Sequence, residues 1–280
     1  MNRSNSILLR QRGFTLVELM VSLTIGLVLL AGVAQVFASN KQANRYNESL
    51  SELQDNGNFA MQFITTQLAN AGRVPNPQLF NRAGQDPSDW STLEAQVYPA
   101  ANLPVGGTEG GTSSDSLIIN VAYPNTITTP PANCAGTSVP TPGNFTLGNN
   151  YGITNTLTIA TGASGRPALF CNGVEIIEGV ENLQVEYGVD TDADRMVDRY
   201  YKINAVPAAN VRDILTVRVA LMVATVKEAR TAQTGTTTKD LAGTTVTLSN
   251  DKRLRQIYTS TVRLHNRCAY FTYNAAKACV

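Results

Sequence analysis

Arg12-Gly13-Phe14-Thr15-Leu16-Val17-Glu18-Leu19 sets one carboxylate inside a run of apolar residues, and the reading of that carboxylate decides the fold. From Leu19 to Ala34 the chain carries no charge at all. An isolated anion at the edge of such a span is costly unless it finds a partner. Cleavage after Gly13 would supply one, because the new α-ammonium on Phe14 would lie about one helical turn from Glu18. Opposite charges attract strongly in those low-dielectric surroundings. Within one subunit, or between adjacent subunits, Glu18 would then act as a register key, the best-attested use of a buried polar group. An ordinary secretory signal would instead offer small residues after its apolar core. Ala31-Gly32-Val33-Ala34 and Val36-Phe37-Ala38 are imperfect sites of that kind, and neither explains Glu18.

The order of features is a leader bearing Arg3, Arg10 and Arg12, then Gly13, Phe14, apolar residues and Glu18. It resembles the type III signal of type IV prepilins and secretion pseudopilins. The resemblance implies a membrane peptidase that cuts after Gly13 and methylates the amino group of Phe14.

The helical context agrees with it. Leu16 to Ala38, at about 1.5 Å rise per residue, is long enough to cross a hydrocarbon layer of roughly 30 Å. The pattern then continues into polar sequence, with Tyr46, Leu50, Leu53, Gly57, Ala60, Ile64 and then either Gln67 or Leu68 recurring three or four apart. Gly72 suits a carboxy-terminal cap, and Pro75 and Pro77 forbid continuation. From Phe14 to Ala71 such a helix would be about 85 Å long. The expected organisation is a leader over 1–13, a transmembrane and assembly helix over 14–39, an amphipathic continuation over 40–73, and a β-rich head over 74–280. The three leader arginines keep the amino end cytoplasmic under the positive-inside tendency, against Lys41 and Arg45 on the far side. The resemblance implies a single-pass inner-membrane protein whose head is periplasmic, and later extracellular in a fibre.

Charged residues make up 15% of the chain and the net charge is +1, so nothing suggests a nucleic-acid surface. Cys134, Cys171, Cys268 and Cys279 all lie in the head, and none has the paired close spacing of a zinc site. In an oxidising compartment disulfides are the expected state. Three pairings exist on paper; closing short local loops favours Cys134 with Cys171 and Cys268 with Cys279.

The head reads as mostly β. Residues 74–115 read as a long loop containing Trp90 and a short helix near Ser91 to Val97. Leu117 to Val121 reads as a buried strand, followed by a loop from Pro124 to Pro142. Ala168–Cys171 and Val174–Ile177 form a hairpin about Asn172-Gly173. Leu183, Val185 and Tyr187 alternate with Gln184 and Glu186, the pattern of a strand with one wet face. Leu215 to Val226 is the best central strand. Arg255 to His265 is another, with Thr244 to Leu248 a short strand beside it. The fold class is α+β: a long amino-terminal helix on an antiparallel, β-rich head with large loops.

Further blocks extend the resemblance: Ser114-Asp115-Ser116-Leu117-Ile118, Asn133-Cys134-Ala135-Gly136, Leu169-Phe170-Cys171-Asn172-Gly173, and Glu178 through Asp190. In this order they resemble the W-type minor pilins of type IV pili. The resemblance implies a minor subunit that primes or caps pilus assembly near the tip. Its implied partners are other minor pilins, the major pilin, the prepilin peptidase, the inner-membrane assembly platform and membrane lipid. The J-type pseudopilin of type II secretion is a near relative in pattern. Major pilins usually carry a proline midway through the apolar span, and none occurs here between Phe14 and Arg73.

Asp190, Asp192, Asp194 and Asp198, with the carbonyl of Met196, match the oxygen spacing of positions one, three, five, nine and seven of a calcium loop. Arg195 stands where a glycine normally turns the loop, and Tyr201 where a bidentate glutamate belongs. The plain alternative is an Asp-rich turn whose side chains bond local backbone. No cofactor is required, and calcium is the one candidate. An enzyme is the reading to exclude, since His265 is the sole histidine and Gly106 to Gly111 lacks the lysine and helix of a phosphate loop. A different class of function is an anchored, calcium-responsive adhesin whose head binds a surface directly.

Overall fold

In a computed structural model of the chain, the described residues are 14–73, 103–124, 131–138, 145–147, 150–229, 235–248 and 250–265. The leader with Gly13, the expected helix at Ser91 to Val97, Trp90, Cys268 and Cys279 lie outside them. The chain divides into two units at Glu48/Ser49. The division falls inside a single helix, α1, Leu16–Ala69.

In the first unit the large apolar side chains from Phe14 to Phe37 are all exposed. The second unit buries one face of α1: Ser49, Leu53, Gly57, Ala60, Ile64 and Leu68, spaced three or four apart. This is the expected stripe from Leu53 onward, whereas Tyr46 is exposed. Gly57 sits in the stripe because a Cβ there would fall inside the Tyr258 ring. The helix ends as the sequence suggests, with Gly72 at φ 70° and its N–H donated to the Asn120 carbonyl, 3.1 Å.

Six strands form a first antiparallel sheet: β1 Val105–Thr108, β2 Ser116–Pro124, β3 Phe145–Leu147, β4 Asn150–Thr161, β5 Pro167–Cys171 and β6 Val174–Glu178. Their order is β1-β2-β4-β5-β6, with β3 also on β4. Asn172 and Gly173, at φ 48° and 82°, make the tight β5–β6 turn. Gly179 then carries the chain into a second sheet. The second sheet contains β7 Val180–Val189, β8 Arg199–Tyr201, β9 Ile214–Ala224 and β12 Arg255–Arg263, in the order β12-β9-β7-β8. Leu117, Ile119, Leu157 and Leu169 of the first sheet, Leu183, Val219 and Leu221 of the second, and Leu53, Ile64 and Leu68 of α1 share one core, each no more than 2% exposed.

Several expectations need correction. β4 is the longest strand, at 12 residues, and the sequence reading missed it. Its inward position 155 is an asparagine, which breaks the apolar alternation. That side chain is satisfied, donating to Gln67 Oε1 (3.1 Å) and accepting the Cys134 N–H (3.0 Å). Thr244 to Leu248 does not lie beside β12. It is β11, paired with β10 Thr237–Leu241 in a separate two-stranded sheet. Leu241, Val246 and Leu248 of that ribbon cover Ala220 and Met222 on the outer face of β9 and form a second, small core. The supposed wet face of β7 is also covered: Gln184 is fully buried, and Glu186 pairs with Arg218 at 3.1 Å while that guanidinium stacks on Tyr200. Residues 105–108, assigned to a long loop, are β1.

The start of β7 is tied to the approach to β12 by a buried ionic cluster. Glu181 accepts from Arg255 (2.6 and 3.1 Å) and pairs with Arg253, while Asp251 accepts from both arginines. Two carboxylates thus balance two guanidinium groups, the condition under which buried charge is tolerated.

Candidate functional sites: amino-terminal helix, disulfide and aspartate loop

Phe14 is the first described residue and is 82% exposed. Thr15 stands at the amino-cap position of α1, and its Oγ1 accepts the Glu18 N–H at 3.3 Å. Thr15-Leu16-Val17-Glu18 therefore has the spacing of a capping box. The signal was present in the sequence and was not read there. Glu18 also favours the positive end of the helix dipole, so it has a local reason to occupy the third helical position in addition to any inter-subunit role. Ser22 Oγ donates to the Glu18 carbonyl at 2.7 Å, satisfying its hydroxyl within the apolar span.

Cys134 and Cys171 are joined, with Cα atoms 6.0 Å apart across a separation of 37 residues. The bond pins segment 131–138 to the end of β5. The other expected pair, Cys268 with Cys279, lies outside the described residues.

The aspartate run is the loop between β7 and β8, closed by the Asp198 N–H on the Val189 carbonyl, 3.0 Å. Oxygens of Asp190, Asp192 and Asp194 lie within 4.8 Å of one another. Ala193 and Arg195 adopt left-handed φ of 66° and 72°, so Arg195 takes up the turn conformation that a glycine usually supplies. Asp190 is buried and accepts the N–H groups of Ala193 (2.7 Å) and Arg195 (2.9 Å). Asp194 accepts from Met196 at 2.7 Å.

Asp198 turns to Thr191, accepting its N–H (2.6 Å) and its hydroxyl (2.7 Å). These bonds hold its carboxyl below the usual aspartate range. At Asp192 the Asp194 N–H favours the ionised form. Desolvation and the carboxylates of Asp194, Asp198 and Asp190 outweigh it and push Asp192 up. Three of the expected calcium ligands thus converge, and Asp198 is engaged locally.

The arrangement offers an exposed apolar helix with one acid near its start, a disulfide-pinned head and a self-repelling acidic loop. Comparison with known proteins places these parts. Residues 8–34 match the Prokaryotic N-terminal methylation motif, and residues 144–266 match the family Type IV Pilus-assembly protein W. The Pilin-like protein PilA3 of Thermus thermophilus is 44% identical over 62 residues, 22% of this chain and 27% of that protein. The chain therefore spans about a quarter of the length of this curated relative. The Type IV-like pilin TTHA1219 from Thermus thermophilus aligns over 77% of this chain and 97% of its own, at 12% identity and a TM-score of 0.37.

A methylation motif running into a long apolar helix, ahead of an antiparallel β head, defines the class, and the chain is a type IV pilin-like protein with a prepilin leader. The match over β3 to β12 narrows this further: that part of the head is similar to Type IV Pilus-assembly protein W, the minor pilins of the W type.

Proposed function

We propose that this chain is a minor pilin that primes or caps assembly of a type IV pilus from the complex at the fibre tip. Its amino-terminal helix is held first in the inner membrane and then among the helices of neighbouring subunits. The observation that carries the reading is α1, whose apolar side chains from Leu16 to Phe37 are exposed on all sides while Glu18 supplies the single charge. Such a surface requires lipid or other helices around it. The partners are other minor pilins and the major pilin, with the prepilin peptidase and the inner-membrane platform acting before assembly. The J-type pseudopilin reading is not favoured, because the family match is to the pilus-assembly protein. Mass spectrometry of the mature chain tests the processing step: an N-methylated Phe14 is expected. An amino terminus at Asn2, or after Ala34 or Ala38, overturns it. Labelling of the head on purified pili should then mark fibre ends rather than shafts.

The aspartate loop supports a secondary proposal, weak calcium binding through Asp190, Asp192 and Asp194, with the Met196 carbonyl and Asp198 as further donors. Convergence of three carboxylates favours it, since a cation would relieve the repulsion that raises Asp192. With a millimolar-class site, about ten millimolar calcium adds roughly 1.4 kcal/mol, a melting shift of about 2–5 °C. The shift is lost in Asp192→Ala and is not reproduced by magnesium. Equal melting temperatures in chelator and in calcium make the loop a polar turn.

A further inference from the structure

We propose that Glu109, Asp115 and Lys202 form a proton-operated latch, which fastens the turn between β1 and β2 to the edge of β7 more tightly when Glu109 carries a proton. β8 pairs with Tyr187 to Val189, so among the described residues the earlier part of β7 has no strand neighbour on that side. The turn takes that place. The Asp115 N–H donates to the Leu183 carbonyl (2.8 Å), Ser114 Oγ accepts the Leu183 N–H (3.1 Å), and Asp115 Oδ2 accepts the Val185 N–H (2.8 Å). Gln184 adds bonds from Nε2 to the carbonyls of Ser113 (2.7 Å) and Gly111 (3.2 Å). One carboxylate and one amide thus substitute for a strand, and they join the first sheet to the second.

The charges at this joint do not balance. Asp115 is 3% exposed, and its other oxygen accepts the Gly110 N–H at 2.8 Å. Lys202 Nζ stands 3.7 Å from Asp115 Oδ2 and donates to Gln184 Oε1 at 2.9 Å. Glu109 brings a second carboxyl to this ammonium, and among the described residues its Oε2 is buried without a hydrogen-bond partner. Burial first, then the Asp115 charge, push the Glu109 carboxyl up, while Lys202 and the Gly111 N–H offset part of the effect. Tyr187 also faces the cluster. Its hydroxyl donates to the Gly106 carbonyl at 2.7 Å, and burial followed by both carboxylates holds it neutral far into the alkaline range.

A proton on Glu109 leaves Asp115 and Lys202 as a balanced pair and removes the charge from a buried carboxyl oxygen. Because the folded value lies above the ordinary 4.5, the stabilisation is fully present below that pH and is lost as pH rises through the folded value.

Hydrogen exchange by mass spectrometry on the full chain in detergent tests this. Protection factors for peptides covering 109–116 and 181–187, corrected for intrinsic exchange, are followed through a pH series whose two end values are about pH 4.5 and about pH 8. The wild type should be several-fold better protected at the lower pH. Glu109→Gln should be equally protected at both values, at the higher level. Lys202→Met should move the loss of protection to higher pH, a displacement that a merely structural contact would not cause. Equal wild-type protection at the two values overturns the latch, as does a Glu109→Gln variant that keeps the wild-type pH dependence. If either variant fails to fold by circular dichroism, the wild-type comparison still decides.

Discussion

Gly179 holds a backbone that other residues adopt only under strain. Its φ is 89°, and an added Cβ would stand 2.7 Å from the Ala224 carbonyl oxygen. It also ties the two sheets by donating to the Pro167 carbonyl (2.9 Å) and accepting the Ala224 N–H (2.7 Å). Gly179→Ala should therefore destabilise the head by about 1–3 kcal/mol, combining left-handed strain with overpacking against backbone that cannot swing aside. Thermal melting of the full chain checks this, and an unchanged midpoint would refute it. The reading of Glu18 shows a different limit at the same scale. Its isolation was legible in the chain, and the capping geometry with Thr15 adds a local stabilisation that an inter-subunit role does not require.

Among the elements, β7 depends most on its neighbours. The Glu181 side chain is 10% exposed and faces Arg253 and Arg255 at 8% and 6%. Glu181→Ala would leave two buried guanidinium groups with Asp251 alone, and should cost about 3–5 kcal/mol. The same cluster predicts acid sensitivity. Hydrogen bonding from Arg255, then from Arg253, holds Asp251 well below its ordinary 3.8. Its contribution is present above that value and is lost as pH falls below it. A melting series from about pH 6 to about pH 3 should show the loss in the wild type and a smaller one in Asp251→Asn. Alternation located β9, whose inward residues Val217, Val219, Leu221 and Val223 are all apolar, and the Asn172-Gly173 turn located the β5–β6 hairpin. Alternation failed for β4, where Asn155 faces inward, and for β1, where Gly106 and Gly107 have low strand propensity and are held in place by pairing with Leu117 and Ile118.

For the molecule as a whole, the register role proposed for Glu18 would separate folding from assembly. Glu18→Ala should leave the head folded and membrane insertion intact, since an apolar span without an ionised group inserts more readily. Incorporation into purified pili, measured by immunoblot against the membrane pool, should fall. Wild-type levels in fibres would remove the register role and leave Glu18 as a helix cap.

The sequence by itself determined the leader, the long helix and its stop, the β-rich head and the aspartate run. Each of these rests on residues close together in the chain: spacing of three and four, a glycine followed by prolines, alternation, a cluster of acids. Only the tertiary structure decided that Asp115 and Gln184 complete the edge of β7, that the β10–β11 ribbon covers β9, and that Glu181 meets Arg253 and Arg255. Those partners lie about 70 residues apart in the first and third cases. Burial of a polar group there is set by what a distant segment offers it, and no local pattern carries that information.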